Sequence, residues 1–162
     1  MQEIYLLLGA NLGDPKSQVE LAIGEIVKAI GPIIRKSSLY QSEAWGLTDQ
    51  PPFINQIVVI GSTKTPHEIL GITQSIEQKL GRVRKQKWGE RIIDIDILYF
   101  GGHVINEEDL VIPHPFIPDR KFTLLPLVEI AASYLHPVLD LSNQQLLEMC
   151  TDNLNVNLYV HK

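Results

Sequence analysis

An α+β fold is predicted: a βαββαβ sandwich whose antiparallel sheet carries its helices on one face, followed by a C-terminal extension. Three observations predict it. Short apolar runs alternate with helical periodicities in the order strand, helix, strand, strand, helix, strand up to Phe100. Both helix starts are punctuated, by Asp14-Pro15 and by Thr65-Pro66. No repeat, low-complexity tract or linker divides the 162 residues, so one domain over residues 1–162 is expected.

Each element has its own signal. Residues 3–8 (EIYLLL) form an apolar run ended by Gly9 and read as a buried strand. After the Asp14 cap, Val19, Ala22, Ile23, Ile26, Val27 and Ile30 recur at helical spacing until Gly31-Pro32 stops them. A second strand is expected over 33–42, with a polar middle. Glu43–Pro52 reads as a loop by composition and Phe53–Gly61 as the third strand. Thr65-Pro66-His67-Glu68 is a capping box, followed by the stripe Ile69, Ile72, Ile76, Leu80 and the stop at Gly81. Ile92–Phe100 is the fourth strand. Four prolines between Pro113 and Pro126 indicate an ordered loop, followed by a helix near Leu124–Ala132. Gly9 and Gly13 are read as turning the chain from strand to helix. The order is that of the ferredoxin-like sandwich.

Composition narrows the function. The charge of −5 is unevenly spread: Arg82, Arg84, Lys85, Lys87 and Arg91, offset by Glu90, give +4 between Arg82 and Arg91 and leave −9 elsewhere. A net negative chain is repelled by nucleic acid, whereas one basic segment suits a small, strongly anionic ligand. No apolar run approaches the ~18 residues of a membrane span, and the N-terminus lacks a basic leader, so neither a membrane nor a nucleic-acid partner is expected. The lone Cys150 forms no internal disulfide, which suits a cytoplasmic protein, and it reads as inert.

The sharpest chemical feature is Asp94-Ile95-Asp96. Strand side chains alternate, so the two carboxylates project together while Ile93, Ile95 and Ile97 face the core. Two such carboxylates repel unless a cation lies between them, and divalent magnesium supplies that charge while leaving positions for phosphate oxygens. An exposed polar strand face is the plainer reading. The basic window beside the pair shifts the balance towards a polyphosphate substrate, since guanidinium groups neutralise charge on a migrating phosphoryl group. Neither a P-loop nor a dinucleotide-binding glycine motif is present. A second set suits a flat ring. Trp45 and Phe53 bracket the proline-rich loop, Asn55 shares a strand face with Phe53, and Phe122 follows later. Aromatic faces stack on a heterocycle and an amide reads its polar edge, although Phe53 and Phe122 equally fit a core. Trp88, between Lys87 and Gly89, suits closure over a ligand. Gln74 and Glu77 share a polar helix face that reads as solvated, and His114 is set between prolines.

These residues carry a resemblance. LLLGANLGD (6–14), TDQPPFIN (48–55), GRVRKQKWGERIIDIDILYFG (81–101), IPHP and DRKFTLLPLVEIA (to 131) together resemble the 6-hydroxymethyl-7,8-dihydropterin pyrophosphokinases of folate biosynthesis. The resemblance implies that ATP donates its β,γ-pyrophosphate to the pterin hydroxymethyl group, releasing AMP, with two magnesium ions bound by Asp94 and Asp96. It implies that Arg82 and Arg91 stabilise the moving pyrophosphate and that Arg84 and Trp88 lie on a loop closing over both substrates. Gln74, Glu77, His114, Arg120 and the backbone at Ile97 fall where such enzymes bind ATP. Asn55 reads the pterin edge between Phe53 and Phe122, and the segment with Ser42, Glu43 and Trp45 completes the pocket. The chain departs from the family pattern at Glu43-Ala44, Pro52, Lys87, Glu90, Asp109 and Val111. A monomer is expected. An RNA-binding sheet is disfavoured because Asp94 and Asp96 would repel RNA, and a two-metal phosphodiesterase lacks further ligands.

Overall fold

The computed structural model describes residues 1–43, 50–81 and 92–160. Its main sheet is six-stranded and antiparallel. Along it lie β5 (Asp94–Phe100), β1 (Gln2–Ala10), β4 (Phe53–Ser62), β3 (Tyr40–Ser42) and β8 (Val156–Leu158), with β2 (Ile33–Lys36) also paired to β4. Helices α1 (Pro15–Ala29) and α2 (Pro66–Lys79) complete the expected βαββαβ unit. Ile4, Leu6, Leu8 and Ala10 of β1 join Val58, Ile60, Ile95 and Ile97 beneath Val19, Ala22 and Ile26 of α1 and Ile69 and Ile76 of α2. The helix starts behave as their residues dictate. Asp14 accepts from Ser17 N at 3.3 Å, and in the Thr65–Glu68 box both reciprocal bonds form, at 3.2 and 2.9 Å.

The C-terminal extension covers the opposite face. Tyr5, Leu7, Ile57, Val59, Leu98 and Tyr99 pack against Ile117 of a 3-10 turn (Ile117–Asp119), Leu124 and Leu127 of α3 (Lys121–Ala131), and Leu146 of α4 (Asn143–Met149). Burial on both faces explains why β1 reads as a continuous apolar run rather than an alternation. A bulge at Leu98 adds a residue to the second face. Leu6 pairs with Ile97 and Tyr5 with Tyr99, so Leu98 and Tyr99 both turn to α3 and α4, and Phe100 returns to the first core. The Tyr99 hydroxyl donates to Asn143 Oδ1 at 2.7 Å, and the fully buried Asn143 donates onward to Ala131 O at 2.9 Å. Tyr99→Phe leaves that oxygen buried without its donor, so denaturant titration should show a loss of about 1–3 kcal/mol.

Three boundaries differ from expectation. The expected strand over 33–42 is two strands, β2 and β3, both on one edge of β4. Between them Ser37 is buried: its N–H donates to Ile57 O at 2.8 Å, its Oγ accepts from Ile57 N at 3.0 Å, and its carbonyl accepts from Gln56 Nε2 at 2.7 Å. Ser37 is thus an interior break satisfied by hydrogen bonds, while Lys36 and Ser38 on either side of it are exposed. β5 begins at Asp94 rather than Ile92, and α3 begins at Lys121 rather than Leu124 with Pro126 inside it. A small hairpin of β6 (Ile105–Asn106) and β7 (Val111–Ile112) follows β5. Among the described residues no helix is long and apolar enough to cross a membrane.

Candidate active site

Three strand ends meet at one end of the sheet. Gly9, near the end of β1, pairs with Asn55 at the start of β4 on one side and with Asp94 at the start of β5 on the other. Together with the loop before α3 they open a cleft of about 240 Å³. Of the residues expected to act, Ser42, Glu43, Phe53, Asn55, Asp94, Asp96, His114, Arg120 and Phe122 all line it.

One half is charged. Asp94 and Asp96 are half-buried on the cleft side of β5, while Ile93, Ile95 and Ile97 lie in the core, as alternation requires. The peptide between them is anchored from α2: Glu77, only 5% exposed, accepts from Ile95 N at 2.9 Å. The solvated-face reading of Gln74 and Glu77 therefore fails for Glu77, whose carboxylate satisfies a backbone donor of the edge strand. Gln74 remains exposed on α2 and is not part of the cleft wall. Ile97 lies in the core, its position paired with Leu6. Facing the carboxylates is Arg120. Burial lowers its pKa, and the negative charges of Asp96, Asp119, Asp94 and Asp152 oppose that effect. Its guanidinium lies 4.6 Å from the Phe116 ring centroid and 5.5 Å from that of Phe122.

His114 sits beside it. Burial first, and the positive charge of Arg120 second, push its pKa down to about 4, so the ring is neutral at pH 7. Nδ1 accepts from Phe116 N at 3.2 Å, which leaves the proton on Nε2 as a donor. The folded state refuses a proton that unfolded histidine takes up, so stability of the free chain rises between pH 4 and about 6.5 and falls on acidification through that window. Burial lowers the pKa of His136 as well. Thermal melts of His114→Gln should therefore show a shallower, not flat, acid limb.

The other half suits a flat ring. Phe53 and Phe122 both line it. Asn55, 3% exposed, donates through Nδ2 to Ser42 Oγ at 2.7 Å. That bond leaves Oδ1 as an acceptor, and Oδ1 lies over Gly9: a Cβ built there would stand 2.9 Å from it. Gly9 thus does more than turn the chain. It keeps the floor of the cleft open between Asn55 and Asp94, while Gly13, at φ +61°, is the turn glycine. Leu7, Gln50 and Phe116 also line the cleft without having been marked by the sequence. Leu7 and Gly9 alternate onto the face that carries Asp96 and Asp94 across the ladder, a signal available once register is known. Buried Asn11 donates to Gln50 Oε1 at 3.2 Å and to Pro51 O at 3.1 Å, tying the loop to the end of β1. Trp45, Arg82, Arg84, Trp88 and Arg91 lie outside the described residues. The residues present fit a hard cation, since two carboxylates on one strand face offer only oxygen donors. A separate exposed group, His67, Glu107 and Asp109, lies where α2 begins, at the opposite end of the sheet.

A helix-backed antiparallel sheet whose cleft joins a carboxylate pair and an arginine to an amide and two phenylalanines has the make-up of a small α+β enzyme site, one half suited to an anionic ligand and the other to a flat ring. The description of the family 7,8-dihydro-6-hydroxymethylpterin-pyrophosphokinase (HPPK) matches residues 5–132, and the chain belongs to that family. It is 42% identical over 132 residues to the 2-amino-4-hydroxy-6-hydroxymethyldihydropteridine pyrophosphokinase of Methylorubrum extorquens, covering 81% of this chain and 84% of that protein. It is 39% identical over 127 residues to the Bacillus subtilis protein of the same name, covering 78% and 76%. Among solved structures, the fold is similar to that of Plasmodium falciparum HPPK-DHPS, with a TM-score of 0.72 and 18% identity over 92% of this chain. The chain spans 43% of that longer one.

Proposed function

We propose that this cleft holds both substrates of the family's reaction, the nucleotide polyphosphate in the charged half and the pterin in the aromatic half. The activity is transfer of the β,γ-pyrophosphate of ATP to the hydroxymethyl group of 6-hydroxymethyl-7,8-dihydropterin, releasing AMP (EC 2.7.6.3), in folate biosynthesis. The observation that carries the assignment is that Asp94 and Asp96 share one cleft with Asn55, Phe53 and Phe122.

Each residue then has a task. Asp94 and Asp96 hold magnesium, two ions in this reading, which when bound neutralises the polyphosphate and orients it. Arg120 offers a fixed positive charge, its guanidinium held between aromatic rings, and neutral His114 donates through Nε2 to a phosphate oxygen without adding charge. Asn55 Oδ1 accepts from the pterin amino edge while Ser42 fixes the amide's orientation, and Phe53 and Phe122 stack on the ring. Glu77 acts one step back, through the peptide that carries both aspartates. Arg82 and Arg91 stabilise the transferred group, and Arg84 and Trp88 are assigned to substrate binding. The resemblance assigns Gln74, which lies outside the described cleft wall, and the backbone at Ile97 to the nucleotide, and Glu43 and Trp45 to the pterin side. Catalysis is then mostly positioning, with the hydroxyl in line with the β-phosphorus and water excluded. The protein is read as a monomer, and the supply of ATP suits the cytoplasm.

The test is a product assay with ATP, magnesium and the hydroxymethyl dihydropterin. One AMP should form per pterin consumed. ADP as product, or AMP formation independent of pterin, would overturn the assignment.

A further inference from the structure

The family match ends at residue 132, yet the chain returns to the cleft after that point. Asp152 reaches the first turn of α3, where Arg120, the N-cap residue, makes no side-chain cap of its own. Asp152 Oδ2 accepts from Lys121 N at 3.0 Å, and Oδ1 accepts from Leu154 N at 3.0 Å, so the carboxylate is fixed at both oxygens. A carboxylate there supplies the missing cap and complements the positive end of α3. The two residues flanking the capped N–H are Arg120 and Phe122, both in the cleft wall. Three residues beyond Asp152, the same segment grips the opposite wall. Asn155 N donates to Glu43 Oε1 at 2.7 Å, and Glu43 N donates to Asn155 O at 3.3 Å. β8 then pairs Val156 with Ser42 and Leu158 with Tyr40, and Tyr159 N donates to Leu39 O at 2.9 Å. Ser42 is the residue that orients Asn55.

We propose that the segment from Asp152 to Tyr159 is a strap that sets the spacing between the two walls of the pterin half, with Asp152 as a positioning residue for Phe122. The proposal rests on the reading of that half as the pterin site. Asp152 touches no reacting atom. It fixes the start of α3 relative to β3 and so holds Phe122 at stacking distance from a ring that Asn55 reads from the other side.

The experiment compares Asp152→Ala, Asp152→Asn and Thr65→Ala with the wild-type full chain. Thr65→Ala removes a cap of the same kind at the far end of the sheet and controls for lost stability. Amide hydrogen exchange is followed in the free proteins, and binding of pterin and of ATP, with kcat and KM, in magnesium. Asp152→Ala should speed exchange at Lys121 and at Glu43 and Asn155 together, and raise the pterin Kd and KM about tenfold, with kcat within about twofold. Asp152→Asn, which keeps one of the two acceptor oxygens and sets an amide NH2 against the other N–H, should fall between Asp152→Ala and the wild type in pterin affinity, and Thr65→Ala should leave it unchanged. Faster exchange at Lys121 without any change at Glu43 and Asn155 would overturn the strap. So would a pterin Kd in Asp152→Ala equal to that of the wild type, or one raised equally in Thr65→Ala. If the wild type binds no pterin, the site reading falls, and the exchange measurement still decides whether the strap couples the two walls.

Discussion

Asp94→Ala and Asp96→Ala each lower turnover by at least about a hundredfold, the loss expected when a fixed group acting on transferred charge is removed. The fold should survive, because both side chains are half-buried on the cleft side of β5 while Ile93, Ile95 and Ile97 continue to fill the core. Removing one carboxylate takes away oxygen donors and negative charge that would hold the ion, so the half-saturating magnesium concentration should rise even where residual activity is measurable. Turnover as a function of magnesium, with circular dichroism and melting temperature as fold controls, checks this. Near-wild-type rates at low magnesium would contradict the assignment of the pair. The asparagine variants discriminate further: they keep shape and hydrogen bonding but lose charge, and should fall close to the alanine variants if charge is what the site uses.

Asn55→Ala lowers pterin affinity by about two orders of magnitude and leaves ATP affinity within about twofold. Two effects add. The variant loses the acceptor that meets the pterin edge, and it leaves Ser42 Oγ, which is buried, without the donor that Asn55 Nδ2 supplies at 2.7 Å. Selectivity should suffer with affinity, since a site built to hydrogen-bond a polar edge rejects analogues that lack it. Gly9→Ala reaches the same amide from the opposite side. Its new Cβ would stand 2.9 Å from Asn55 Oδ1, and the amide cannot swing freely because Ser42 holds its other end. A roughly tenfold weaker pterin Kd is expected, with the ATP Kd again unchanged. Titration of each ligand separately checks both variants, and a parallel loss of ATP binding would mean that the two halves of the cleft do not divide as described.

The elements that could be read from residues alone were those whose signals are local. Thr65-Pro66-His67-Glu68 marks the start of α2 because cap donors and acceptors lie within one turn of each other. Ser142 with Gln145 is an equally local capping box, yet α4 is not among the elements expected from the sequence. Asp94 and Asp96 declare themselves because two carboxylates at alternate strand positions repel without a cation. Ser37 is opaque for the converse reason: a serine in a polar stretch looks solvated, and its burial depends on Ile57 and Gln56, some twenty residues away. Glu77 is opaque likewise, because its partner is a backbone N–H on β5 and helical periodicity cannot foresee it. Gly9 acts through the side chain it lacks, which acquires meaning only when register sets it between Asn55 and Asp94. β8 buries only Val156 and carries no periodicity of its own.

The antiparallel register has a practical corollary. Gln2 pairs with Ser62, whereas Gly9 pairs with Asn55 and Asp94, so β1 starts at one pole of the sheet and delivers its last residues to the cleft at the other. At the other end of the described chain β8 is paired with β3, the strand that carries Ser42 in the cleft wall, and Tyr159 is bonded to Leu39 just ahead of it. The two termini are therefore unequal as handles. A tether joined ahead of Gln2 presents the cleft outward to solution, while one joined after Tyr159 pulls on the wall itself.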